Sequence, residues 1–159
     1  TSAGPDNERF RTSKEALESV FNSLVTGLII ARDQDLLPAL GSSREKARPR
    51  RFPFSRSANS VVFLSGELKG IEEALGSLGL KALTPTDFVW IFDTLAFEFG
   101  NARSLLDTLR PPLRQTFNED DYDRVNVLAI TVKSIRDTVA LELAGALDLA
   151  GGFNALDGD

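Results

Sequence analysis

Phe88, Phe92, Leu95, Phe99, Ala102, Leu106 and Leu109 follow one another at steps of four and three without a miss. That is the spacing of one face of an α-helix, and it excludes the alternation a half-buried strand needs. The pattern recurs along the chain. Leu17, Phe21, Leu24, Leu28 and Ala31 mark a first helix, from about Glu8 or Ser13 to Asp35. Val61, Leu64, Leu68, Ile71, Leu75 and Leu78 mark a second, starting near Ser57 or Ala58. Val125, Leu128, Val132, Ile135 and Val139, then Leu143, Ala146 and Leu147, mark a fourth that ends at Gly151 and Gly152. Apolar faces of this kind are all buried at once when the helices pack around a shared axis. The pattern therefore predicts an all-α chain, an antiparallel four-helix bundle.

The punctuation between the stripes agrees. Pro38 and Gly41 are expected to close the first helix. Thr84 as cap and Pro85 at the first helical position open the third, which Pro111 and Pro112 stop. Asn118, followed by Glu119, Asp120 and Asp121, is an acid-rich start suited to the dipole of the fourth. Gly27 lies inside the first helix, where it permits close approach of a neighbour. The chain thus divides into a leader at 1–7, a bundle at 8–150 with a long loop at 41–57, and a tail at 151–159. Phe52 and Phe54 are expected to pin the loop, because Pro49 and Pro53 forbid a regular helix in it.

Charge is uneven. The chain carries a net −5, yet Arg44, Lys46, Arg48, Arg50, Arg51 and Arg56 stand against only Glu45 in the loop, which leaves the rest at −10. That balance argues against wholesale nucleic-acid binding and points to an anion, a phosphate group or an acidic partner at the loop, or to a merely solvated surface. There is no Cys and no His, so thiolate chemistry, a Ser–His–Asp set and the commonest metal ligand are all missing. No apolar run approaches the roughly 20 residues that span a membrane. The chain has no Met and no signal peptide, which reads as a piece of something longer.

Particular residues stand out against this background. Arg56 and Ser57 fall at the expected start of the second helix, where free N–H groups and a guanidinium can hold an anion or carboxylate. A structural pair with an acid of the same domain explains Arg56 equally well. Glu142 falls where the fourth stripe next steps inward, and is either buried with a partner or left at the rim by a slip to Leu143. Trp90 and Phe97 lie off the main stripe of the third helix, facing either a broad core or a second protein layer. In the tail, Asn154, Asp157 and Asp159 bring oxygen acceptors to the chain end, but without the twelve-residue Ca²⁺-loop pattern. No catalytic residue and no metal-ligand set can be assembled from this inventory.

The tail Gly152-Phe153-Asn154-Ala155-Leu156-Asp157-Gly158-Asp159 resembles the C-terminus of imelysin-like proteins, the insulin-cleaving membrane protease family. The stretches from Gly27 to Asp33 and Leu36 to Gly41, and Arg50-Arg51 through Arg56-Ser57, are similar to the segments that flank the family's basic linker. The resemblance implies one of two related four-helix bundles, this chain being the second. It implies an exported bacterial protein, periplasmic or anchored at the surface by a lipid, linked to uptake of iron or another divalent metal. Its partner would be the N-terminal bundle carrying Gly-x-His-x-x-Glu, a motif absent here. On that implication Arg56, Ser57, Asn154 and Asp157 form one wall of an interdomain binding site. The alternative is the non-catalytic half of a metallopeptidase, and a third reading is a scaffold for protein interaction.

Overall fold

The computed structural model describes residues 13–149; the leader at 1–7 and the tail at 151–159, with Asn154 and Asp157, lie outside them. The described residues are all-helical, with no strand among them. α1 (Ser13–Ile30) runs without a break into a π-helical segment, Ala31–Leu36, and on into α2 (Leu37–Leu40). Pro38 does not end this run; it follows directly on the π segment, at the second position of α2. Gly41 does end it: its φ is 66°, and a Cβ there would collide with the Lys46 carbonyl.

α3 (Ser60–Ser77) and α4 (Leu80–Leu83) follow, then a 3₁₀ turn at Thr86–Phe88 and α5 (Trp90–Thr108). The Thr84 cap predicted for the third helix is not formed. The Thr84 hydroxyl donates back to the Leu80 carbonyl at 2.8 Å, closing α4, and the long helix begins six residues later at Trp90. Its inward stripe is accordingly Ile91, Leu95, Phe99, Ala102 and Leu106, while Phe88 stays exposed on the turn. α6 (Leu113–Thr116) leads to α7 (Glu119–Asp137), whose expected acid-rich start also forms a capping box. Asn118 Oδ1 accepts from the Asp121 N–H at 2.9 Å, and the Asp121 carboxylate accepts from the Asn118 N–H at 3.3 Å. A second π segment, Thr138–Leu143, carries α7 into α8 (Ala144–Ala146).

The long helices pack side by side: α5 against α7 and α3, and α1 against α3 and α7, the last pair antiparallel. Side-chain pairs fix the direction. Arg44 reaches Asp123 at 2.7 Å and Glu119 at 3.3 Å at the start of α7, while Lys14 meets Asp148 at 3.3 Å beyond its end. The basic loop therefore caps one end of the molecule, and Leu149 leaves from the other. Where α1 crosses α3, Gly27 allows the expected close approach: a Cβ there would stand 3.2 Å from Ile71 Cδ1.

The loop at 41–57 is built from three 3₁₀ turns, Arg44–Lys46, Pro49–Arg51 and Ser55–Ser57. Phe52 plugs it into the core at 2% exposure and meets Phe117 edge-on with ring centroids 5.4 Å apart. The Arg48 N–H donates to the Ala39 carbonyl at 2.7 Å. Phe54 and Ala58 have left-handed backbones, φ 53° and 59°. Ala58 cannot start a helix in that conformation, so α3 opens at Ser60 instead of Ser57 or Ala58. Ala58 is exposed and its methyl group gains little there. Ala58→Gly is expected to stabilise the chain by about 1 kcal/mol, raising the midpoint of thermal unfolding by roughly 2–4 °C. An unchanged or lower midpoint by circular dichroism would show that the turn is not held left-handed.

Candidate functional site

Arg56 and Ser57 lie in the last 3₁₀ turn of the loop, both exposed. The Ser57 hydroxyl donates to the Phe54 carbonyl at 3.1 Å, and the Ser57 N–H donates to the same oxygen. They are therefore not at a helix start, and free helix-end N–H groups do not surround them. Asn154 and Asp157 lie outside the described residues, and Leu149, the last of those, is at the opposite end of the molecule from Arg56. The described chain thus provides no geometry that joins the four residues into one wall.

A polar pair that the apolar stripes do not mark lies at the seam of α1 and α3. Asp35 sits in the first π segment and Glu67 on α3, near enough that each carboxyl group shifts the ionisation of the other. Asp35 Oδ2 and Glu67 Oε2 are shielded from solvent and receive no donated bond from the rest of the protein. Two carboxyl groups this close and this shielded disfavour the doubly charged form. Burial, reinforced by the neighbouring Asp35 charge, pushes Glu67 up to about 7. Burial also raises Asp35, although the neighbouring Glu67 opposes it. The signal was present in the sequence: Asp35 is four residues beyond Ala31 on the first stripe, and Glu67 is one turn from both Leu64 and Ile71.

Such a pair stores a proton near neutral pH or offers two oxygen ligands. Among the described residues no three His, Cys, Asp or Glu side chains gather at ligand spacing. The residues present therefore do not fit a metal by themselves, and two oxygens are what this seam can contribute.

The outer face of α5 is the second site-like feature. Trp90 is 50% exposed and Phe97, two turns on, 67% exposed. On α7 beside it, Val127 and Ile130 are also exposed. Between the two helices Asn101, Ser104, Leu105, Thr108, Val127 and Thr131 line a shallow groove of about 350 Å³. Glu142 is exposed at the rim, because the second π segment turns Leu143 inward in its place. No family model, curated protein or solved structure matches this chain.

The seam has a direct consequence in pH. Glu67 is raised above its ordinary 4.5, so its contribution to stability is whole below about 4.5 and is lost as pH rises through 7. The urea midpoint of the wild-type chain is expected to fall between pH 5.5 and pH 8.5, and Glu67→Gln to remove most of that fall. Equal midpoints for the wild type at both values would mean that Glu67 titrates as an ordinary surface acid.

Proposed function

We propose that this chain is the second four-helix bundle of an imelysin-like protein, docked through the outer face of α5 onto an upstream bundle carrying Gly-x-His-x-x-Glu. Together the two bundles would enclose a binding site for iron or another divalent metal in an exported bacterial uptake protein. The tail residues from Gly152 to Asp159 supply the resemblance, and the long helical runs packed side by side are compatible with it.

The observation that carries the docking is the exposure of Trp90 and Phe97 on a helix whose opposite face is already buried. A core needs one apolar stripe per helix, and α5 carries two rings outside its own. Covering the open parts of these two rings removes on the order of 250 Å² of apolar surface from water, worth roughly 6 kcal/mol before the costs of association. In this reading the chain supplies contact surface and the polar groups of the α5–α7 groove. Arg56 and Ser57 sit on a different face, so the docking does not rest on them.

Trp90 is the chain's sole tryptophan, which makes it a reporter once replaced by a fluorinated analogue. Coexpressed with an upstream bundle carrying the motif, the chain is expected to copurify, and the Trp90 fluorine resonance to shift on assembly. Phe97→Glu should abolish copurification while leaving the melting temperature of the isolated chain unchanged. Copurification of the variant at wild-type yield would overturn the docking. The same complex separates binding from catalysis: stoichiometric metal without peptide cleavage supports uptake, whereas cleavage abolished by a chelator assigns the metallopeptidase function.

A further inference from the structure

The end of the molecule opposite Leu149 carries a feature that the docking leaves unused. Three short turns touch there: Pro49–Arg51, Ser55–Ser57 and α6. They carry Arg50, Arg51, Arg56 and Arg114. Arg110 is tied alongside, its carbonyl accepting from the Thr116 hydroxyl at 2.6 Å. All five guanidinium side chains belong to exposed residues, and none is paired with an acid among the described residues. Arg44 shows the contrast, being taken up by Asp123 and Glu119. Five unneutralised guanidiniums, four on touching turns and one alongside, repel one another, and each presents a planar donor fork suited to phosphate oxygens.

In the midst of these charges stands an aromatic ring. Phe54 lies between Arg51 and Arg56 in the chain and is 59% exposed. Its left-handed backbone, at φ 53°, costs a residue with a side chain of this size about 1 kcal/mol. The ring leans on Phe63 at a centroid distance of 4.9 Å and is not drawn into the core as Phe52 is. Val62, in the first turn of α3, is also exposed. A buried anchor and a strained turn thus hold an apolar protrusion outward among cations.

We propose that this end is a docking surface for anionic lipid headgroups, with Arg50, Arg51, Arg56, Arg110 and Arg114 on the phosphates and Phe54 in the boundary beneath them. Free phosphate satisfies guanidiniums but offers nothing to an exposed ring, and an acidic polypeptide gives no reason to project one. A lipid interface is anionic at its surface and apolar just below it. The rest of the chain carries a net −10, so an anionic surface repels it everywhere else and orients the molecule with this end down. The proposal uses a different face from α5 and stands or falls independently of the docking there.

The test is cosedimentation of the purified chain with vesicles of phosphatidylglycerol and phosphatidylcholine, against phosphatidylcholine alone. Binding is expected to the anionic vesicles only, and to be lost in high salt. Arg50→Gln with Arg51→Gln should weaken it by about tenfold or more, each removed charge being worth about fivefold. Phe54→Ala should weaken it at unchanged charge, with a thermal melt to show that the chain remains folded. Equal binding to neutral vesicles, or no effect of the double Arg substitution, would overturn the proposal. So would capture of polyglutamate or inorganic phosphate with no sedimentation of the chain on vesicles, which would assign the patch to a soluble anion.

Discussion

A π turn in each of the two longest helical runs decides which side chains the core receives. In the first, the stripe of Phe21, Leu28 and Ala31 would next bring Asp35 inward; the wider turn at Ala31–Leu36 delivers Leu36 instead. In the second, the stripe through Ile135 and Val139 would bring Glu142 inward, and the turn at Thr138–Leu143 delivers Leu143. A carboxylate pointed at an apolar interior costs several kcal/mol unless it is paired or neutral. The two slips avoid that cost differently. Glu142 goes to solvent. Asp35 moves only as far as the seam with α3, where it meets Glu67 and burial favours the neutral form of both.

That difference explains what the sequence reveals of this molecule. The helical class, the core residues of α3 and α7, the acid-rich start of α7 after Asn118 and the close approach at Gly27 all follow from spacing and local chemistry, and all are found in the structure. The alternatives for Glu142 were visible for the same reason. Asp35 and Glu67 were harder to see as a pair, because only the crossing of α1 and α3 makes them neighbours. The start of α5 at Trp90 has a similar origin. Thr84-Pro85 has every local mark of a helix opening, but the Leu80 carbonyl competes for the Thr84 hydroxyl and wins. The loop was legible in charge and in Phe52, whereas the outward setting of Phe54 depends on a backbone conformation that no residue type there favours.

The surface divides along the same lines. One side, on α5 and α7, presents rings and aliphatic groups with few charges near them; one end presents guanidiniums and a single ring. Apolar area covered by a protein partner and charge placed against an anionic surface are different physical demands, and the fold keeps them apart. The central claim is that a protein partner takes the side and leaves the end free. Hydroxyl-radical footprinting of the complex with an upstream bundle measures this directly. The account predicts that Trp90 and Phe97 lose most of their oxidation on assembly while Phe54 is oxidised as in the free chain. Protection of Phe54 with Trp90 and Phe97 unchanged would contradict it.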